Sequence, residues 1–196
     1  YADIFFEHTI SNSIRLMDGA VNNSYSNIDY GVGVRVLTGD QSGYAYVENI
    51  TVEDMLKAAR TAARIASANK GNKPLNLTEK ELKKNYYTVA SPWEEVSLKD
   101  KMPYLQKLND RIFALDKRVH KVQASQSDTT SHIFFCNSEG VMFYDYRPMV
   151  TLGAVCIMEE DGKTENGYAA RAYRRGFDFL SDEVVDVIAR EAVDQT

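Results

Sequence analysis

The stretch Gly31-Val32-Gly33-Val34-Arg35-Val36-Leu37, with its return Gly43-Tyr44-Ala45-Tyr46-Val47, decides the fold because the chain repeats it. The second copy reads Thr151-Leu152-Gly153-Ala154-Val155-Cys156-Ile157, then Gly167-Tyr168-Ala169-Ala170. Gly33 falls on Gly153, Gly43 on Gly167 and Tyr44 on Tyr168. Each copy follows a strand-like run that ends at a glycine turn, Gly19 in the first and Gly140 in the second. Each is closed by a helix that opens at a hydroxyl residue, Thr51 or Ser181. Alternation places Val32, Val34 and Val36 on one face of a strand and Gly33, Arg35 and Leu37 on the other. Leu152, Ala154 and Cys156 hold the inward places in the repeat. The turn Thr38–Gly43 predicts an antiparallel hairpin. Its counterpart over Glu159–Asn166 is expected to be longer and acidic.

Working outward, Ala2–Glu7 reads as a strand already under way. A first helix is expected from the cap Thr51, with Glu53 and Asp54 in its first turn, where the helix dipole favours them. Met55, Leu56, Ala59, Ala62, Ala63 and Ala66 form its buried stripe, and Asn69-Lys70-Gly71 is its expected stop. Residues 71–97 read as an exposed connector with one short strand near Tyr86–Val89. A second helix follows the cap Ser97, with Asp100 three residues on and Leu105, Leu108, Ile112 and Leu115 buried. Four or five strands are expected between Val119 and Arg174. A third helix follows Ser181, with Val184, Val185, Val187, Ile188 and Ala192 apolar. The expected fold is α+β, internally duplicated, with antiparallel sheet and helices packed on one face. Residues 1–196 are expected to form a single N-terminal domain. Its halves cover about 1–70 and 119–196 and are joined by a connector and helix over 71–118.

Composition bounds the partners. Apolar residues are 44% and aromatics 11% of the chain, enough for a sizeable core. A net charge of −5 argues against a nucleic-acid partner. No apolar run approaches the roughly 18 residues of a spanning helix, so no membrane partner is expected. Cys136 and Cys156 lie in apolar runs and read as buried reduced thiols. Both chain ends look cut, Tyr1 within a strand and Thr196 at a helix. The chain is therefore expected to be a piece of a longer protein, with any leader lying upstream.

Chemistry is sparse. Gly31-Val32-Gly33 lies inside a strand and lacks a third glycine opening a helix, so it is no phosphate cradle. His132 and Cys136 are four apart in a strand, roughly 13 Å at about 3.3 Å per residue, too far to share one metal. No G-x-S-x-G elbow is present. No catalytic and no metal-ligating residue is assigned. Four residues are marked for substrate or partner contact: Arg35, Tyr44, Tyr168 and Arg171. Arg35 stands where the repeat has Val155, so it is either an ordinary exposed position or a group that meets a carboxylate. Arg171, Arg174 and Arg175, interleaved with Tyr168 and Tyr173, read as a solvated sheet edge or a protein-contact strand rather than a nucleic-acid contact, because the acidic 159–165 turn beside them is expected to pair with those arginines.

Tyr25–Arg35, the Ser42–Tyr46 return, Asp145-Tyr146-Arg147-Pro148 and Glu159–Lys163 together resemble the N-terminal domain of the TldD/PmbA (TldD/TldE) family, on the TldD side. The resemblance covers essentially the whole chain. It implies a family first described as modulators of DNA gyrase and understood as metalloproteases of peptides and unfolded segments. The family's metal is held by an H-E-x-x-x-H helix in the C-terminal half, and no such motif occurs here. The resemblance therefore implies a non-catalytic domain with no cofactor of its own. It implies a divalent, zinc-type metal in the parent protein, whose water would do the hydrolysis. The implied partners are the C-terminal catalytic half, a like subunit or a TldE/PmbA-like one, and a peptide substrate. A cytoplasmic location is expected. The alternative is a protein-interaction module without enzymatic activity, binding a sister subunit or gyrase-related partner.

Overall fold

The structure is a computed structural model and describes residues 1–67, 76–80, 86, 87 and 89–196. Strands β1 (Ala2–Met17), β2 (Ala20–Thr38) and β3 (Gln41–Val47) lead into helix α1 (Val52–Ile65). A two-residue strand β4 (Thr78–Glu79), a 3-10 turn at Trp93–Glu95 and helix α2 (Leu98–Leu115) follow. Strands β5 (Val119–Asn137), β6 (Val141–Glu160) and β7 (Lys163–Tyr173) then lead into helix α3 (Asp182–Asp194). The order β-β-β-α therefore occurs twice. Hydrogen-bonded neighbours run β3-β2-β1-β5-β6-β4, with β7 also on β6. The hairpins β2–β3 and β6–β7 are antiparallel, whereas β4 joins β6 in parallel. The chain adopts the expected α+β fold.

The repeat persists down to register. Arg35 faces Tyr44 and Val36 faces Gly43 across the first hairpin. Val155 faces Tyr168 and Cys156 faces Gly167 across the second. A Cβ on Gly43 would stand 1.9 Å from the carbonyl oxygen of Ala62 in α1, and one on Gly167 would stand 2.1 Å from that of Ala192 in α3. Ala62 and Ala192 lie at the same step along their helices from the caps Thr51 and Ser181. Each cap oxygen accepts a backbone N–H three residues on, from Asp54 at 3.1 Å and Val184 at 3.3 Å.

The chain divides into two compact units. The first holds Tyr1–Thr9, Ile28–Tyr86 and Ser131–Arg147. Its core is Val34, Ala58 and Ala62, flanked by Ile4, Val36, Ala45, Val47 and Ala59. Small residues let α1 lie close on β3. Leu56, expected in that stripe, is 49% exposed, and Ala58 is buried instead. Helix α1 ends at Ile65. The stop expected at Asn69-Lys70-Gly71 lies outside the described residues. So does Thr88 of the short strand expected near Tyr86–Val89. Tyr86, Tyr87 and Val89 are not in a strand, and the connector's short strand is β4.

The second unit holds Ile10–Asn27, Tyr87–Thr130 and Pro148–Thr196. Its larger core gathers Ile14 and Leu16 of β1, Leu105, Leu108 and Ile112 of α2, the inward set Leu152, Ala154 and Cys156, and Val185, Ile188 and Ala192 of α3. Helix α2 opens as expected: the Asp100 carboxylate accepts from the Ser97 amide at 3.0 Å and its hydroxyl at 2.6 Å. Leu115 is exposed, because the stripe runs out at the helix end, and Val187 is partly exposed on α3. Trp93, which periodicity did not single out, is buried, and its indole N–H donates to the Arg175 carbonyl at 2.8 Å. Both cysteines are free and buried.

Three long strands, not four or five, fill Val119–Tyr173. The acidic segment expected as an open turn pairs almost to its tip, Glu159 with Thr164 and Glu160 with Lys163. Asp161 (φ 51°) and Gly162 (φ 74°) alone make the turn. Both take left-handed conformations, which suit a two-residue hairpin. At the opposite extreme, β2 is exposed along all of Ala20–Tyr30, and β3 pairs only with Val32–Thr38.

Candidate functional site

The clearest concavity in the first unit is a cleft of about 480 Å³ built on the β2–β3 hairpin. Gly31 and Gly33 form its floor, with Tyr44 and Tyr46 of β3 beside them and Glu7, Asp29 and Glu48 among its walls. Gly33 explains the shape. A Cβ there would lie 2.6 Å from the Tyr44 hydroxyl oxygen, so the Tyr44 ring occupies the space a side chain would take. Three carboxylates and no lysine or arginine line the cleft. Thr9 donates to Glu7 at 2.9 Å.

Arg35 and Tyr44 are brought together as cross-strand partners. The carboxylate that Arg35 meets is internal. Its Nη2 and Nε donate to Oδ2 of Asp3 at 2.5 and 3.0 Å, with Asp3 buried and the arginine side chain half-exposed. That hydrogen bond raises the guanidinium pKa above its ordinary value. Tyr168 is exposed on β7, in the place equivalent to Tyr44. Arg171, three residues on, points to the opposite face of the strand, where it pairs with Glu191 of α3. Tyr168 and Arg171 thus do not form one surface.

The expected pairing of the 159–165 acids with Arg171, Arg174 and Arg175 is not what the structure shows. Glu160 pairs with Arg118 at 3.2 Å, Arg175 with Asp178, and Arg174 lies over the Tyr87 ring at 5.2 Å. The tight Asp161-Gly162 turn keeps the acids at the hairpin tip, away from Arg171.

One feature left no mark in sequence spacing. Rings from four strands form a row: Tyr30 to His8 at 6.4 Å, His8 to His132 at 6.0 Å, and His132 to Tyr146 at 5.2 Å. His132 Nδ1 and the Tyr144 hydroxyl are 2.6 Å apart. Only strand order reveals this row, since its members are far apart in the chain. Two imidazoles do not make a catalytic metal centre. Among the described residues, no group of three His, Cys, Asp or Glu could hold a metal ion. The donor set present does not fit the metal implied by the resemblance.

With the fold and its repeat in place, two family models match the chain. PmbA/TldA metallopeptidase domain 1 covers residues 2–66, and the PmbA/TldA metallopeptidase central domain covers 91–196. The chain belongs to this PmbA/TldD family. The metalloprotease TldD homolog of Haemophilus influenzae is 31% identical over 205 residues, which cover 100% of this chain and 42% of that protein. The TldD homolog of Buchnera aphidicola subsp. Schizaphis graminum is 28% identical, covering 98% and 41%. Among solved structures, a candidate modulator of a DNA gyrase from Thermotoga maritima aligns with a TM-score of 0.76 at 20% identity, covering 99% of this chain and 43% of that one. TldE from Thermococcus kodakarensis aligns at 0.68 and 16% identity, covering 98% and 43%. The chain spans less than half the length of the curated relatives it matches.

Proposed function

We propose that this chain is the non-catalytic N-terminal part of a TldD-like metalloprotease. In this reading it shapes the access of extended peptides and unfolded segments to a zinc-type metal site elsewhere in the parent polypeptide. Residues 1–196 act as one duplicated unit, which the matched register and the matched Gly43 and Gly167 contacts support. The carrying observation is the position of the cleft. Strand β3 ends the strand order, so one of its sides offers unpaired backbone N–H and C=O groups to an extended chain. Exposed Tyr44 and Tyr46 stand beside that edge, with Arg35 across the hairpin. Backbone pairing reads extension rather than sequence, and a folded substrate cannot offer it. The names of the relatives support the reaction class. No helix of the described residues is long and apolar enough to cross a membrane, and a cytoplasmic location is part of this reading.

The test is kinetic, on the full-length parent. Replacing Tyr44 and Tyr46 together by alanine should raise KM for an unfolded peptide about tenfold, roughly 1.4 kcal/mol, at unchanged kcat. An unchanged KM overturns the reading. A second reading, an interaction module for a like or TldE-like sister subunit, is favoured by exposed Tyr168 beside the other hairpin. Under it, Tyr168→Lys shifts the parent to earlier-dissociating, smaller species in size-exclusion chromatography; unchanged elution counts against it.

A further inference from the structure

The second unit contains a buried ammonium that borders an open cleft and is only partly satisfied. Lys101, in the first turns of α2, is 3% exposed, and its Nζ donates to Oδ2 of Asp128 at 2.5 Å. Asp128 also accepts from Asn12 Nδ2 at Oδ1 and from Gln126 Nε2 at Oδ2, each at 2.9 Å. The ammonium also stands 5.3 Å from the centre of the Trp93 ring, which stabilises the cation without accepting a conventional hydrogen bond. An ammonium has three donors. Among the described residues only Asp128 accepts from it, so two donors are unmatched. The neighbouring Gln126 Oε1 is buried without a donor. Unmatched buried polar groups are costly.

Lys101 and Trp93 face a cleft of about 380 Å³ whose walls include Asn12, Tyr25 and Glu94 together with Ile10, Ile14, Val96 and Leu98. Two N–H donors at the base call for acceptor oxygens, while the aromatic and aliphatic walls call for an apolar group beside them. Charge decides which oxygen. Asp128 already balances Lys101. A carboxylate would therefore bring a second, uncompensated negative charge beside Asp128, whereas an amide carbonyl brings none.

We propose that this cleft is a binding site for a neutral amide carbonyl flanked by an apolar side chain, the chemistry of an uncharged stretch of unfolded peptide. Lys101 donates to the carbonyl, Asp128 holds Lys101 in place, and Trp93 forms the apolar wall. The site shares no lining residue with the Tyr44 cleft, and its test does not depend on proteolysis.

Trp93 is the sole tryptophan of the chain, so its fluorescence reports on this cleft alone. N-acetyl-leucinamide is the probe, and N-acetyl-leucine, with a free carboxylate, is the comparison. Titration with the amide should give a saturable change in emission, and the acid should bind at least about tenfold more weakly. The double variant Lys101→Met, Asp128→Asn leaves no buried charge uncompensated and should abolish the response. Tyr25→Ala, at the exposed wall, should weaken it in a chain whose circular dichroism matches that of the unsubstituted one. No saturable change with the amide, an acid that binds as well or better, or a double variant that responds like the parent would each overturn the proposal.

Discussion

Gly43 lies directly beneath Ala62, whose carbonyl oxygen stands 1.9 Å from where a Cβ would be. Contact with backbone cannot be relieved by a side-chain rotation, so the helix itself must move. Gly43→Ala should therefore destabilise the chain by about 1–3 kcal/mol, as overpacking does. Gly167→Ala should do the same in the other half, 2.1 Å from the Ala192 oxygen. Urea midpoints measure both, with exposed Ser42→Ala within about 0.5 kcal/mol as the control.

Lys101 and Asp128 are almost fully buried, so removing one partner strands the other. Lys101→Met should cost about 3–5 kcal/mol in urea unfolding. Adding Asp128→Asn should restore much of that loss. A double variant no more stable than the single one would show that the pair is not coupled.

Asp116 has its carboxyl held down to about 2 from 3.8, chiefly by the Arg118 side chain and then by the Arg118 backbone N–H. A carboxyl depressed in the folded state contributes stability above its unfolded pKa and loses it as pH falls through the folded one. The window is therefore between pH 3.8 and about 2. In Arg118→Ala, the Asp116 carboxyl should titrate closer to 3.8 by NMR, and the variant should lose less stability on acidification through that window. An Asp116 titration unmoved by the substitution would refute the assignment.

Cys136 and Cys156 are buried, and burial raises both thiol pKa values above the ordinary range. Thiolate is the reactive form. A disulfide reagent at neutral pH should label neither in the native chain and both after denaturation. Rapid native labelling of either would show that its strand opens.

Periodicity was sufficient where one face of an element is buried and the other is wet. Val32 and Val34, the set Leu152, Ala154 and Cys156, and the caps Thr51 and Ser181 were all legible for that reason. Helix limits were less so: Leu56 and Leu115 continue an apolar pattern past the surface their helices cover. Trp93 was illegible because it sits in a 3-10 turn without a period, and its partner is a backbone carbonyl far along the chain. The carboxylates around Tyr44 and the Tyr30–His8–His132 row arise from strand order, and the Lys101–Asp128 pair from α2 meeting β5. Sequence spacing carries no record of strand order, so the candidate sites were legible only through Arg35 and Tyr44.

The uncovered length of β2 has a practical consequence for handling the molecule. From Ala20 to Ile28 it holds no charged residue and no proline, and both of its faces are open to water. Natural sheets discourage sticky borders with lysine or proline, and this border has neither over those residues. Concentrated samples should accordingly clump through this margin, and a single Tyr25→Lys change should keep them dispersed in light scattering.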